Sequence, residues 1–430
     1  MARTVRVTRV CHTSATREGA FRWVENPRVD AEAVGRASHE ATARRCEGRF
    51  VYVAVDQSSL SVTDHGHQKG LGRTRMHSAN PQRGWQVMSA LAVSADRQTL
   101  GLLGQSWWIR SEGRSPSYSQ DRRPWEKRES SAWNRTIDQV QDVLSEDPAN
   151  PRPWYQLDRG GDAWHVIHHA VEHDLWLTVR SAYNRHLDGT ARRLWEDVGR
   201  QRVQGRTAVF LPKHAARRAG HRSERGRQLS LRFAQVTLQL TDFDRQRHPT
   251  VVYAVEARET RPPSGCPRLH WRLLTTVPVR TARDARRVVE GYSQRWKIEE
   301  FHQTWKSSGC RVERSQLRSP DALRRWATVL AAVATRIERL KRKSRAEPNL
   351  PASSELSRDE IDAAILLSET KKHRLGDDLT LQQAVTLIAQ VGGYTGKSSG
   401  GPPGSQTLGR GLHDVQIAAF VMASKRKAKT

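Results

Sequence analysis

The sequence predicts an α/β protein built on a mixed β-sheet, and three observations support that fold class. The continuous apolar run Phe50–Val55 is typical of a strand buried on both faces in the middle of a sheet. Strand and helix patterns then alternate as far as Val179. From about 182 to 270 strand patterns follow one another without helices, and helical patterns dominate after Thr281. We therefore expect an α/β core with a β-rich insertion and a helical C-terminal region.

The first half of the chain supplies most of the core elements. Up to about Gly48 the pattern predicts short helices around an Asn26-Pro27 turn, with Asp30 as the N-cap of the second helix. Two of the apolar strands end at a carboxylate, because Asp56 follows the first strand and Asp158 follows the fourth. After the strand at 50–55, we predict strands at 85–93, 99–109, 154–157 and 175–179 and helices at 129–144 and 163–172.

The second half is expected to hold the insertion and the long helices. Thr281 is a predicted N-cap for a helix that runs to about Ser307 and stops at Gly309. The other predicted elements are strands at 207–211, 230–241, 250–257 and 269–278, helices at 320–343 and from 359 onward, a Gly-rich break at 392–404 and a frayed basic tail at 425–429.

The chain is strongly basic, with 72 Lys and Arg against 45 Asp and Glu and a formal net charge of +27. Twelve of the cations and only three acids fall within Thr190–Phe233, where short apolar segments indicate folded strands. A basic folded face suits a polyanion, above all nucleic acid, and a solvated surface is the alternative. The run includes Arg192, Arg193, Arg200, Arg217, Arg218, Arg225 and Arg227.

The composition argues against several other classes of protein. No apolar stretch near the start approaches the ~20 residues of a membrane span, and no secretory signal is recognisable. The cysteines are scattered without a C-x-x-C pair, which argues against a disulfide scaffold or a zinc site. They are Cys11, Cys46, Cys266 and Cys310. We expect a soluble protein of a reducing compartment, the cytoplasm.

The helix that begins after Thr281 carries a stripe of polar residues. Their spacing of three, four, three and four residues places them on one helical face. By spacing alone, a functional stripe and a solvated face with i,i+4 ion pairs are equally good interpretations. The stripe consists of Tyr292, Arg295, Glu299, His302 and Lys306.

Three carboxylates, from Asp56, Asp158 and Glu299, give this stripe a chemical interpretation. A carboxylate after an apolar strand is costly unless a cation or water meets it, and hard divalent cations prefer such oxygens. Two Mg²⁺ ions held together could activate water or a 3′-hydroxyl and stabilise the leaving oxygen of a phosphodiester. Arg295 and Lys306 are spaced to hold phosphates beside them.

At these residues the sequence resembles a known family. Tyr-x2-Arg-x3-Glu-x6-Lys, from Tyr292 to Lys306, resembles the signature of insertion-sequence DDE transposases, and more narrowly that of the insertion-sequence-four family, close to the transposon-five group. Further segments are similar to family segments in chain order. They are 55–61 around the first aspartate, 127–133 with Lys-Arg-Glu-Ser and Trp133, 158–162 (where Gly160 replaces the usual Glu), and 177–181.

The resemblance implies an RNase H-like mixed-sheet catalytic core interrupted by the β-strand insertion. It implies cut-and-paste DNA transposition, by metal-dependent cleavage at transposon ends and strand transfer, through a hairpin intermediate. It also implies two Mg²⁺ per active site, with Mn²⁺ as a substitute. The implied roles are metal coordination and catalysis by Asp56, Asp158 and Glu299, phosphate binding by Tyr292, Arg295 and Lys306, a position close to the cleaved end for His302, DNA contact by Arg180, and stacking on an extruded base by Trp271.

The resemblance also implies the partners and the domain organisation. The partners are double-stranded DNA, as transposon ends and target, and a second copy of the chain in a synaptic homodimer, with no membrane and a nucleoid-associated place in the bacterial cytoplasm. The region Leu379–Phe420 is similar to the part that makes dimer contacts. The expected divisions are a truncated helical DNA-end-binding region at 1–49, core at 50–181, basic insertion at 182–270, core at 271–345, and a helical dimerisation region at 346–430 with a basic tail.

Two other functions stay open at this point. Family members carry a further helical segment before the stretch that matches Arg17–Pro27, and this chain starts close to that stretch. A short form of this kind predicts a non-mobilising regulator that inhibits transposition by mixed dimerisation. The other alternative is an RNase H-like nuclease that cleaves DNA without strand transfer.

Overall fold

The computed structural model describes residues 11, 13–64, 69–74, 82–110, 125–210, 226–262, 264–265, 267–396 and 401–427. The strands of these residues form one ten-stranded sheet. The strands are β1 (Phe50–Val62), β2 (Gly72–Arg73), β3 (Arg83–Val93), β4 (Thr99–Trp108), β5 (Arg152–Leu157), β6 (Trp176–Arg180), β7 (Gly205–Phe210), β8 (Gly226–Thr241), β9 (Arg247–Glu259) and β10 (His270–Thr275).

The helices lie mainly before β1, between β4 and β6, and after β10. They are α1 (Ser14–Glu25), α2 (Ala31–Ala43), α3 (Ala132–Ser145), α4 (Trp164–Glu172), α5 (Leu194–Arg200), α6 (Ala282–Gln294), α7 (Trp296–Gln303), α8 (Pro320–Ala346), α9 (Arg358–Leu367), α10 (Leu381–Val391) and α11 (Ser405–Lys427). In the described part of the chain, no helix is both long and apolar enough to cross a membrane.

The sheet order confirms the predicted RNase H-like core. The strands run β2-β3-β1-β5-β6-β10-β9-β8-β7, with β4 on the outer side of β3. β1, β3 and β4 pair antiparallel, whereas β1, β5 and β6 pair parallel. Apolar side chains on both faces of β1 explain its central place, since Val51 to Val55 are all buried.

The insertion continues this sheet. β6 is followed in the sheet by β10, and β9, β8 and β7 extend it by antiparallel pairing. An ion pair between Arg227 and Glu259, 3.0 Å apart and almost without solvent contact, joins the long β8 and β9. The basic positions Arg217, Arg218 and Arg225 lie outside the described residues.

The predicted single helix from Thr281 to Ser307 is wrong in its continuity. Thr281 does cap α6, through a reciprocal pair of hydrogen bonds with Asp284. At Arg295 the bonding tightens, because its N–H donates to the Tyr292 carbonyl three residues back and α7 begins at the next residue. After α7 the chain widens into a π-helical turn at Thr304–Ser308. Such irregular turns re-aim side chains and are frequent at functional sites.

The C-terminal helices agree with the sequence pattern except at the tail. The 27-residue α8 shares one apolar core with α9, α10 and α11 and with Phe301 and Trp305. The predicted Gly-rich break separates α10 from α11. The basic tail was expected to be frayed from Lys425, but α11 continues through Lys427, and residues 428–430 lie outside the described part.

Candidate active site

Two of the three predicted carboxylates lie on neighbouring strands at the same level of the sheet. The predicted end of the first strand at Val55 is wrong, because β1 continues to Val62 and Asp56 is paired with Ser89 of β3, whereas β5 does end at Leu157. β1 and β5 are neighbouring parallel strands, and Val55 is paired with Leu157. Asp56 and Asp158 are the next residues of the two strands, so they stand side by side. The Asp158 carboxylate accepts a hydrogen bond from the Gly160 N–H at 2.7 Å and caps the 3₁₀ turn that follows. The parallel register therefore explains why Asp56 and Asp158 lie together at the point where the pairing of β1 with β5 ends.

Arg295 connects the strand to the third carboxylate. Its Nη1 lies 3.2 Å from Oδ2 of Asp56, and its Nη2 lies 3.1 Å from Oε1 of Glu299. The Arg295 side chain is 6% exposed, whereas the side chains of Asp56 and Glu299 are 16% and 17% exposed. Asp56 and Glu299, from a strand and a helix, thus converge on one positive charge that solvent barely reaches.

Electrostatic coupling adds three more residues to this group. Burial lowers the pKa of Arg295, but Tyr292, Asp56 and Asp158 outweigh that effect, and the net pKa is raised. Burial raises the pKa of the Tyr292 phenol, against the influence of Arg295 and Arg180. Burial also lowers the pKa of Arg180, although Tyr292 opposes this change. Asp158, Arg180 and Tyr292 therefore belong to the surroundings of the Arg295 guanidinium.

Lys306 lies further along β1, on the π-helical turn. Its Nζ is 3.4 Å from Oγ of Ser58, two residues beyond Asp56, and 3.5 Å from Oε1 of Glu313. The same Glu313 oxygen accepts a hydrogen bond from the Ser61 N–H at 2.9 Å. The amine is thus held over the strand that bears Asp56, on the same side as Glu299.

Besides Tyr292 and Arg295, two further predicted DNA-binding residues are buried. The Trp271 indole is 2% exposed and packs edge-on against Tyr292, with ring centroids 5.0 Å apart. His302 is 7% exposed, and its ring lies 5.3 Å from that of Phe301. Stacking of a base on Trp271 requires that the indole leaves this packing. Both DNA-binding roles stay predictions.

The donor chemistry of the site fits a divalent cation. Asp56 and Glu299 present carboxylate oxygens, which Mg²⁺ and Mn²⁺ prefer, and these oxygens already gather around a cationic group. Across the ranges that the structure covers, no three His, Cys, Asp or Glu side chains are grouped so that they could hold a metal ion as they stand. In this arrangement the guanidinium of Arg295 supplies the positive charge between Asp56 and Glu299.

Sequence reasoning assigned no role to Asp162, which organises the loop after Arg180. Its carboxylate, without solvent contact, accepts hydrogen bonds from the Ala182 and Tyr183 N–H groups at 2.6 and 3.2 Å. It also pairs with Arg185 at 2.6 Å. The loop is therefore fixed, yet the Tyr183 ring is 61% exposed. The only sequence signal was a second acid four residues after Asp158.

A group of cations lies beside Asp158, and we call it the strand-end patch, consisting of Arg159, Arg180 and Arg272. Burial lowers the pKa of both Arg180 and Arg272, and the positive charge of Arg159 adds to the lowering in both. The Arg272 guanidinium also lies 4.3 Å above the Trp195 ring. Like charges this close favour the approach of an anion.

The fold and the site together define a class: an RNase H-like protein with an acidic site on its central strands, bordered by cations that suit a polyanion. Comparison with protein families gives the family. Residues 121–336 match the family model described as Transposase DDE domain, and residues 332–430 match the one described as Transposase Tn5 dimerisation domain. The chain belongs to the DDE transposase family. This family consists of DNA transposition enzymes that generally depend on divalent metal ions.

Proposed function

We propose that this chain cuts DNA at both ends of a transposon and joins the freed ends to target DNA. The observation that carries the proposal is the Arg295 bridge, in which Asp56 of β1 and Glu299 of α7 meet at one cation. The family supports the reaction type.

In this proposal Asp56, Asp158 and Glu299 hold two Mg²⁺ ions, for which Mn²⁺ can substitute. When bound, the ions would activate water or a 3′-hydroxyl and stabilise the leaving oxygen of the phosphodiester. The chain contributes charged carboxylates that Arg295 keeps oriented toward one another.

The path of the DNA follows the cations around this site. We propose that Tyr292, Arg295 and Lys306 hold phosphates of the cleaved end, with His302 close to that end. Arg180 and the rest of the strand-end patch would hold the strand that approaches Asp158. Arg suits this role because its planar guanidinium can donate two hydrogen bonds to one phosphate.

A hairpin at the transposon end is a further part of the proposal. Trp271 would receive the extruded base, since an indole face lowers the cost of unstacking a base. Its contact with Tyr292 links the indole to a residue proposed to hold a phosphate. Binding of the end to Tyr292 would then change the packing that buries Trp271.

Two copies of the chain are proposed to act together on the two ends. The match of residues 332–430 to a dimerisation domain supports a synaptic homodimer. The site of action would be the bacterial nucleoid.

The test uses the full chain and a plasmid that carries the genomic DNA flanking its own gene. Incubation with Mg²⁺ or Mn²⁺ should release the enclosed segment, give hairpin ends on a denaturing gel, and later give joined products. Asp56→Asn, Asp158→Asn and Glu299→Gln should each abolish all three products. Glu172→Gln, which removes an exposed carboxylate of α4, is the matched control and should leave them unchanged.

Two outcomes would contradict the proposal in different ways. Cleavage without joined products would indicate a nuclease. Products that persist in all three acid variants would show that these carboxylates do not carry the reaction.

A further inference from the structure

A buried acid lies behind the active-site helix. Glu338 of α8 is 1% exposed, and its Oε1 accepts hydrogen bonds from the Thr304 hydroxyl at 2.5 Å and the Ser405 hydroxyl at 2.6 Å. Lys341 pairs with the other Glu338 oxygen at 2.5 Å and donates to Ser405 Oγ at 2.9 Å. It also reaches Glu300, the neighbour of Glu299, at 3.2 Å. A buried carboxylate that loses a hydrogen-bond donor is left unsatisfied, and this costs free energy. Glu338 therefore favours the arrangement in which all of its donors stay in place.

The two hydroxyls that meet at Glu338 come from different parts of the chain. Thr304 is the first residue of the π-helical turn that carries Lys306, whereas Ser405 is the first residue of α11. Thr304 lies in the segment that matches the catalytic domain, and Ser405 lies in the segment that matches the dimerisation domain. One carboxylate oxygen, Oε1 of Glu338, therefore joins the segment that matches the DDE domain to the segment that matches the dimerisation domain.

A second contact joins the same two elements a turn later. The N–H groups of Gly309 and Cys310 both donate to the Thr304 carbonyl at 2.9 Å and close the π-helical turn. The backbone of α11 packs directly on this closure. A Cβ built on Gly409 would lie 2.9 Å from the Cα of Gly309, a distance that real Cβ atoms do not show. The two glycines thus permit backbone contact between α11 and the end of the turn.

We propose that Ser405 and Gly409 of the C-terminal helix are positioning residues for the active site, acting through Glu338 and Gly309 on the turn that carries Lys306. This inference rests on the proposed function, because it takes Lys306 as a phosphate-binding residue. It goes further, since it makes phosphate binding by Lys306 depend on the position of α11. Any contact that stabilises the packing of α11, including a second copy of the chain bound to it, would strengthen the binding of the cleaved strand.

The first test is hydrogen exchange of the full chain, measured over peptides that cover 304–310. Ser405→Ala and Gly409→Ala should speed exchange in that turn, and Ser405→Thr, which keeps the hydroxyl, should restore it. Gly199→Ala is the matched control, because Gly199 is also a helical glycine but a Cβ there would meet nothing within 4 Å, and α5 is a different helix. Thr407→Ala is the control within α11, since its hydroxyl donates to the Gly404 carbonyl and not to Glu338. Unchanged exchange at 304–310 in both test variants, or an equal increase in both controls, would overturn the proposal.

The second test is a double-mutant cycle on cleavage of the plasmid with the flanking genomic DNA. Ser405→Ala should slow cleavage about 10- to 100-fold, the range expected for a displaced catalytic-site group. In a Lys306→Ala background the same substitution should have almost no further effect. Fully additive effects would overturn the proposal. If Lys306→Ala itself left cleavage intact, the assigned role of Lys306 would fail, whereas the exchange measurement would still decide whether α11 positions the turn.

Discussion

Asp56 and Arg295 are separated by 239 positions in the chain, and their side chains meet at 3.2 Å. The contact brings the middle of the central strand β1 to the helix that carries Glu299. It gives the site a buried cation of its own, and Asp56 and Glu299 both pair with it.

Replacing Arg295 should destabilise the protein and alter the site. Arg295→Ala leaves two partly exposed carboxylates facing each other without a counter-charge, and we expect a loss of about 1–3 kcal/mol in the free energy of unfolding. Arg295→Lys should recover part of the lost stability, because it keeps the positive charge. The recovery should be incomplete, because a compact ammonium cannot hydrogen-bond to both carboxylates as the planar guanidinium does. Urea unfolding followed by tryptophan fluorescence measures the free energy of unfolding of both variants.

Arg97→Ala is the matched control for this prediction. Arg97 pairs with Glu290 at the surface and is 60% exposed, so its removal should cost less than about 1 kcal/mol. Equal losses for Arg295→Ala and Arg97→Ala would show that the Arg295 bridge contributes no more than a surface pair.

Lys297 should make stability depend on pH. Its Nζ is buried and donates to the side chain of Gln294, and burial, with Arg342 adding to it, lowers the pKa from 10.5 to about 7. Between those pH values the unfolded chain binds more protons than the native one, so stability should rise with pH by up to about 1.4 kcal/mol per unit. Below pH 7 both states are protonated and this contribution is constant.

Lys297→Met should remove that slope, and Lys371→Met, at an exposed position, should keep it. The measurement is the free energy of unfolding from urea titrations at several pH values between 7 and 10. A slope that survives in Lys297→Met would assign the pH dependence to other groups.

DNA affinity should fall steeply with salt. If the basic surface engages 6–10 phosphates, the association constant should drop about 10³- to 10⁵-fold between 50 and 200 mM salt. Arg159→Ala and Arg272→Ala should each lower the slope of log affinity against log salt by about 1. Fluorescence anisotropy with a labelled DNA duplex measures this slope. A slope that neither substitution changes would place the DNA away from the strand-end patch.

Tyr183 should contribute to binding of unpaired DNA. Its exposed ring stands on a loop fixed by Asp162, and stacking of a base on such a ring is worth about 1–3 kcal/mol. Tyr183→Ala should weaken binding of a duplex with a single-stranded end by that amount, and Tyr183→Trp should preserve it. Phe210→Ala is the control, because Phe210 is equally exposed, at 61%, on β7. Equal effects at both positions would indicate a general loss of apolar surface.

The sequence predicts those features that depend on local pattern. Apolar runs mark the central strands, and the carboxylate after the run that ends at Leu157 marks the end of β5. The run that ends at Val55 does not mark the end of β1, because the polar residues that follow it continue to pair with β3 as far as Val62. The caps at Asp30 and Thr281 are also local, since each bonds to an N–H within three residues. For the same reason the spacing from Tyr292 to Lys306 predicts a shared helical face.

Contacts between distant positions could not be predicted in this way. Nothing local distinguishes Glu338 from a surface acid of α8, and its burial follows from hydroxyls 34 and 67 positions away. The close approach of Gly409 to Gly309, at the end of the π-helical turn, joins positions 100 residues apart, and no periodicity reveals it. The burial of Trp271 likewise depends on Tyr292, which packs over it from another element.

The central claim is that three distant carboxylates gather divalent ions where DNA is cut, and anomalous diffraction tests it most directly. Crystals of the full chain with Mn²⁺ and a duplex from its gene's flanking DNA should show manganese peaks bounded by Asp56, Asp158 and Glu299. The peaks should vanish in crystals of Asp56→Asn and persist in Glu172→Gln. Manganese bound elsewhere, with these three carboxylates making no contact to it, would contradict the account.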